Sequence, residues 1–316
     1  MGPRVVVLVG PTASGKTDVG MRLYDALGGA SGARLISVDS ALVYKGMDIG
    51  TAKPSATELS HYPHALIDIR DPVDPYTVAE FVQDADREVT AALAAGVIPI
   101  LVGGTMLYAR RFVDGIAKLP QADQRMRQTL EDELKTRGPD ALYTDLLELD
   151  PDAAADIHPN NPQRLLRALE VIRLTGMPLS TLWQKQAGAD AEQRHGVKPQ
   201  VFGIVPTDRA ALHERIVHRF EHMLAAGFLA EVATLRSRGD LHLDLPAMRA
   251  VGYRQAWQYL ANELEESQFV ANALTATRRL AKRQLTWMRQ WLILKSLDMD
   301  EPHRLSEQIF TEVVKT

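Results

Sequence analysis

The chain has 316 residues, 46% hydrophobic and 24% charged, proportions that exclude wholesale disorder and allow roughly two domains' worth of core. Lys and Arg number 36 against 40 Asp and Glu, a net charge of −4, so any hold on nucleic acid must come from a local patch. Cysteine is absent, which excludes disulfides, thiolate–zinc sites and thiol nucleophiles and suits a reducing compartment.

The start, Met1 to Val9, offers only the short apolar run Val5–Val9 after Arg4, too little for a signal-peptide core, and lacks the Ser/Thr of a myristoylation signal. No apolar run approaches the ~18 residues of a membrane span. A soluble, cytoplasmic protein with no membrane partner is expected. Val5–Val9, Leu35–Val38, Leu66–Ile69 and Ile98–Val102 read as buried strands, with helical spacing between them over Thr17–Leu27 and Val78–Ala95. That alternation predicts βαβ units and a parallel sheet flanked by helices.

Near Leu119-Pro120 the pattern changes to polar helical segments. Asn161-Pro162 starts one helix and Thr175-Gly176 ends it. The polar stretch Ala187–Lys198 reads as a linker, Val201–Val205 as a strand returning to the sheet, and Arg209–Arg238, Met248–Leu260 and Gln268–Leu292 as long helices. The expected architecture is α/β: a P-loop NTPase-like parallel sheet with an all-helical insertion domain. It divides into residues 1–118, an insertion over 119–198, and a core continuation over 199–316.

Gly10-Pro11-Thr12-Ala13-Ser14-Gly15-Lys16-Thr17 is a complete G-x-x-x-x-G-K-[ST] P-loop lying between a strand and a helix. Glycines let successive N–H groups turn onto an anion, the helix N-terminus adds positive potential, Lys16 supplies a point charge and Thr17 a hydroxyl suited to Mg²⁺. The chain is thus expected to bind a di- or triphosphate. The loop alone does not choose between nucleotide and other diphosphates.

Asp39-Ser40 and Gly103-Gly104-Thr105 follow predicted strands at their carboxyl ends, where α/β sheets place ligands. Asp39 there can approach Mg²⁺ through water, take a proton from a nucleophile, or cap a helix. Arg164 and Arg167, with Gln163 beside them, share a helix face that suits phosphate contact or simple solvation. His218 and His222 do not make a zinc pattern and read as a solvated face.

Between Glu266 and Asp298 there is no acid, and Arg278, Arg279, Lys282, Arg283 and Arg289 fall within an arc of about 140° at ~100° per residue. Leu274, Leu280, Leu285, Met288 and Leu292 lie mainly opposite, so Trp287 and Trp291 read as core. The arc reads as a phosphate-backbone footprint.

These pieces, in this order, resemble the tRNA dimethylallyltransferase (tRNA isopentenyltransferase) family over nearly the whole chain. The resemblance rests on Gly10–Thr17, Asp39-Ser40-Ala41-Leu42-Val43-Tyr44, Met47-Asp48-Ile49-Gly50-Thr51-Ala52-Lys53-Pro54 and Gly103-Gly104-Thr105-Met106-Leu107-Tyr108. It continues through His158-Pro159-Asn160-Asn161-Pro162-Gln163-Arg164, Val251-Gly252-Tyr253-Arg254 and Lys282-Arg283-Gln284-Leu285-Thr286-Trp287. His64-Ala65 departs from it, where the family often has two adjacent histidines.

The resemblance implies transfer of a dimethylallyl group from dimethylallyl diphosphate to N6 of adenine 37 in the tRNA anticodon stem-loop, with Mg²⁺ as cofactor, by a monomer. Gly10 to Thr17 would hold the diphosphate, with Lys16 offsetting leaving-group charge and Thr17 reaching the metal. Asp39 would take the N6 proton and Thr105 would line the junction of the substrates. The implied tRNA contacts are Asp39, Ser40, Ala41, Leu42, Thr105 and Arg127; then Gln163, Arg164, Leu165, Leu166 and Arg167; and Arg249, Ala250, Val251, Gly252, Tyr253 and Arg254. Lys282, Arg283, Gln284, Leu285, Thr286, Trp287, Met288 and Arg289 complete the set. The residues alone leave three alternatives: a P-loop small-molecule kinase, a prenyltransferase acting on free adenine nucleotide, and a nucleic-acid-binding NTPase switch.

Overall fold

A computed structural model describes residues 2–117, 119–185, 188–299 and 301–315. The strands are β1 (Val6–Val9), β2 (Ala33–Ser37), β3 (His64–Ala65), β4 (Ile98–Gly103), β5 (Gln200–Val205) and β6 (Lys295–Asp298). They form one parallel sheet in the order β3-β2-β4-β1-β5-β6. β1 is buried along its length because both faces are covered, as a central parallel strand requires. Helices α1 (Lys16–Ala26), α2 (Ala56–His61), α3 (Val78–Ala94) and α4 (Met106–Asp114) interleave with the first strands.

Contacts divide the chain into two units, Met1–Asp114 with Ala191–Thr316, and Gly115–Asp190. The second unit holds α5 (Gln124–Arg137), α6 (Pro139–Leu149), α7 (Pro151–Asp156), α8 (Pro162–Thr175) and α9 (Leu179–Lys185) around a core that includes Leu130, Leu142, Leu146, Leu165 and Leu169. As the sequence predicts, Asn161 caps α8 and Gly176 ends it. The first unit resumes with α10 (Ala191–His195), α11 (Arg209–Ala225), α12 (Phe228–Ser237), α13 (Tyr253–Leu260), α14 (Glu266–Arg289) and α15 (Pro302–Lys315). On one face of the sheet, Val19 and Leu23 of α1 and Leu305, Ile309 and Val313 of α15 pack over Val6, Leu8, Leu35 and Val102.

Several expected elements differ. Leu66–Ile69 is not a strand: Leu66 and Asp68 have φ of 66° and 54°, and pairing stops at His64–Ala65. The expected linker contains α10, pinned where Arg194 Nε and His195 Nε2 meet Asp86 Oδ1 at 3.0 and 2.8 Å; its first residue, Ala187, lies outside the described residues, as does Lys118. Arg209–Arg238 is two helices, broken at Gly227 with φ 97°. The expected helix Met248–Leu260 begins only at Tyr253, after Gly252. The last long helix ends at Arg289, leaving Leu292 97% exposed rather than in the core.

Candidate active site

The phosphate cradle joins β1 to α1. Ala13 and Gly15 take left-handed φ of 64° and 83°, which turns the backbone back on itself, and only Gly15 does so without a Cβ penalty. Ser14 N–H closes onto Pro11 O at 3.3 Å. Among the described residues, the N–H groups of Ala13, Gly15, Lys16 and Thr17 have no protein acceptor, the arrangement that receives an anion.

Strand β4, beside β1, and β2, on the far side of β4, deliver the other groups. Asp39 Oδ1 accepts the N–H of Ala41 at 2.9 Å and of Leu42 at 3.3 Å, which holds the loop in an Asx turn. Thr105 N–H bonds Val38 O at 3.2 Å, and Thr105 Oγ1 accepts Ser40 N–H at 3.0 Å while donating to Ser40 Oγ at 3.2 Å. Asp39 and Thr105 are thereby fixed on adjoining loops.

A cavity of about 160 Å³ is lined by Thr12, Lys16, Thr17, Asp39, Arg219 and Gln284, with apolar walls from Phe220, Met223, Phe228 and Leu280. Lys16 Nζ donates to Pro11 O at 3.3 Å. Its ammonium is poorly hydrated and faces Arg219, so its pKa falls to about 8, with Asp39 acting in the opposite direction. Burial also pushes the Arg219 guanidinium below its ordinary value, against Asp39. Two cations against one carboxylate make this a cavity that favours an anion.

Arg219 is a cavity-lining cation that sequence reasoning passed over. It occupies the same stripe of α11 as Ile216, Phe220 and Met223, all of which line the cavity. A cation on an apolar stripe was the available signal. Glu231 of α12 was also missed: its carboxylate accepts the N–H groups of Asp48, Ile49 and Gly50 at 2.8, 2.6 and 3.1 Å and the Tyr253 hydroxyl at 2.5 Å. That nest holds the segment bearing Gly50, Thr51 and Ala52 on the cavity wall.

An adjoining outer pocket shares Asp39, Ala41, Gly104, Val251, Leu280 and Gln284 with this cavity and adds Ser40, Thr105, Arg249, Arg283 and Trp287. Trp287 therefore does not sit in the core as expected: it is half-buried, with the Arg110 guanidinium 5.9 Å from its ring, whereas Trp291 is buried. Arg249, Arg254, Lys282, Arg283 and Arg289 are exposed, and Ala250, Val251 and Leu42 half-buried. Tyr253, Leu285 and Met288 are buried, and Tyr253 lines the cavity. Gln284 is buried too, and bonded within the protein.

In the helical unit, Gln163 and Arg164 are exposed and Leu166 half-buried, while Leu165 is wholly buried in that unit's core and presents no surface to a ligand. Arg127 and Arg167 both bond the buried Glu170, at 3.2 and 2.7 Å.

Among the described residues there is no group of three His, Cys, Asp or Glu able to cage a metal. The Thr17 hydroxyl in the cavity lining fits instead a Mg²⁺ that keeps water and takes most of its ligands from substrate phosphates. Among the described residues no helix is long and apolar enough to cross a membrane.

Residues 42–291 match the profile of the IPP transferase family. The chain is similar to the solved tRNA isopentenylpyrophosphate transferase of Bacillus halodurans, with 34% identity, 99% of this chain and 96% of that one covered, and a TM-score of 0.71. It is similar to the tRNA delta(2)-isopentenylpyrophosphate transferase of Staphylococcus epidermidis, with 30% identity, 99% of each chain covered and a TM-score of 0.70. A eukaryotic dimethylallyltransferase solved acting on tRNA is 25% identical, with 95% of this chain and 75% of that one covered and a TM-score of 0.77.

Proposed function

The chain belongs to the IPP transferase family and is a tRNA prenyltransferase, and we propose that it moves the dimethylallyl group of dimethylallyl diphosphate to N6 of adenine 37, beside the anticodon, releasing pyrophosphate. The observation that carries this reading is that Asp39 and the P-loop Lys16 line one cavity, which opens beside Thr105 and a surface bearing Arg249 and Arg283. A proton acceptor and a leaving-group cradle therefore face each other across space for an allylic chain and a base.

The amine of adenine is a weak nucleophile that must lose a proton as the C–N bond forms. Asp39 Oδ1 is committed to Ala41 and Leu42, which leaves Oδ2 to take that proton. The N6 lone pair joins C1 of the dimethylallyl group, the C1–O bond breaks, and its electrons leave with pyrophosphate. Lys16, Arg219 and the cradle's N–H groups stabilise that developing charge. Thr17 would hold Mg²⁺, which when bound offsets further charge on the diphosphate. Thr105 lines the junction and, through Ser40, holds the Asp39 loop.

The base must leave its stack to reach Asp39, which a single-stranded anticodon loop permits at lowest cost. Arg249, Arg254, Lys282, Arg283 and Arg289 on the sheet unit, and Arg127, Gln163, Arg164 and Arg167 on the helical unit, are the proposed phosphate and base contacts. The helical segment serves as a tRNA-binding insertion, with the expected domain limits 119–198. The reading takes the enzyme as a monomer acting in the cytoplasm.

The test is to incubate the protein with labelled dimethylallyl diphosphate or γ-labelled ATP, each with and without bulk unmodified tRNA. Label from the prenyl donor should enter tRNA and map to adenine 37. Transfer from ATP to a small acceptor, or prenylation of free adenine nucleotide alone, would overturn the reading.

A further inference from the structure

Gln284 lies two residues from the exposed Lys282 on α14, yet its side chain turns away from solvent and is buried. Its amide is bonded at both ends. Oε1 accepts the N–H of Thr12, in the phosphate cradle, at 2.9 Å, and Nε2 donates to the carbonyl of Gly104, on the loop after β4, at 2.8 Å. The amide cannot be reversed, because that would set NH₂ against N–H and oxygen against oxygen.

The junction is built for this side chain. A Cβ at Gly104 would stand 2.8 Å from Gln284 Nε2 and 3.4 Å from Lys16 Nζ, so a residue with a side chain there would displace the amide. Gly104 leads directly into Thr105, which holds Ser40 and so the loop of Asp39. Thr12 lies four residues before Lys16. One amide thus spans the loop that would hold the leaving group and the loop that would orient the base.

We infer that Gln284 is a positioning residue: its amide, bonded at both ends within the protein, sets the distance between the diphosphate cradle and the acceptor loop. The inference rests on the prenyl-transfer reading. By taking the Thr12 N–H, Gln284 also removes that donor from the cradle, so the diphosphate is left to the N–H groups of Ala13, Gly15, Lys16 and Thr17. Each half of the active site can therefore bind its own ligand without Gln284, but their relative placement depends on it. Misplacement on the order of 1 Å costs about 100-fold in such reactions.

The test compares wild type with Gln284→Met, which keeps length and volume but loses both hydrogen bonds, and with Gly104→Ala, which crowds the amide from the opposite side. For each, kcat is measured with saturating dimethylallyl diphosphate and anticodon stem-loop, alongside separate affinities for inorganic pyrophosphate and for the stem-loop. Both variants should lose roughly 10- to 100-fold in kcat while each affinity stays within about threefold. Their double variant should be little slower than the worse single one, because both disturb one contact. Gln284→Met with wild-type kcat, or with pyrophosphate affinity falling in step with kcat, would overturn the inference and leave the prenyl-transfer reading intact. No transfer by wild type would overturn that reading, and the inference with it.

Discussion

Arg219 donates to the carbonyl of Thr51 at 3.0 Å across 168 residues of sequence, which brings a second cation to face Lys16. Burial and the Arg219 charge together lower the Lys16 pKa, and Asp39 opposes the shift in both residues. The site therefore carries unrelieved positive charge on the wall that would receive a diphosphate, and the fold holds that charge ready at a cost in stability.

The cost of Lys16 has a definite pH window. Its pKa is 10.5 unfolded and about 8 folded, so the unfolded chain binds more protons between those values, and stability rises with pH across them. Lys16→Met should melt a few degrees higher than wild type at pH 7 and lose that advantage as pH approaches 10. It should also cripple turnover while leaving stem-loop binding nearly intact. A variant that melts no higher than wild type at pH 7 would contradict the buried-charge account.

The same shift governs substrate. A diphosphate needs Lys16 charged, so the affinity of wild type for dimethylallyl diphosphate should be flat below about pH 8 and weaken above it. Arg219→Met removes the like charge and should move that break upward, while weakening affinity at pH 7 roughly 10-fold or more through the lost cation. A break that stays in place would show that Arg219 does not act on Lys16.

The cradle was legible in the sequence because every group in it lies within eight residues, and local spacing determines the geometry. Asp39 was legible because it ends an apolar run, and parallel strands place their carboxyl ends together. Arg219 and Glu231 were not, since their partners Thr51 and Asp48 to Gly50 are brought to them only by the packing of α11 and α12. Gln284 sat in a basic helix whose composition points outward; only the fold shows its amide turned inward. β6 escaped because an edge strand with one buried residue, Leu297, leaves no apolar run to read. Leu66–Ile69 misled for the opposite reason: its apolar residues fill a turn whose Asp68 pairs with Lys53 at 2.5 Å.

Asp39→Asn separates proton transfer from loop geometry. Asparagine keeps an oxygen for the N–H groups of Ala41 and Leu42, so the turn and the pocket should persist. It cannot accept the N6 proton, and kcat should fall about 10²- to 10⁴-fold with little change in tRNA affinity. Near-wild-type turnover would remove Asp39 as the base.

The basic face of α14 makes a prediction that depends on salt. Arg279, Lys282, Arg283 and Arg289 are exposed, and among the described residues no carboxylate is paired with any of them. A helix whose cations served only solubility would mix in acids, and between Glu266 and Asp298 there are none. If these cations meet tRNA phosphates, each releases counterions, and single-stranded contacts give a log–log salt slope of about −0.7 apiece. Replacing Lys282 and Arg283 by Ala should therefore weaken stem-loop binding and flatten the slope by about one unit or more. Pyrophosphate affinity should not change, because the cradle draws its charge from Lys16 and Arg219. The measurement is stem-loop affinity across a salt series, wild type against the double variant. Identical slopes and affinities would make this face a solvated surface and move the tRNA footprint to the arginines around Arg249 and Arg164.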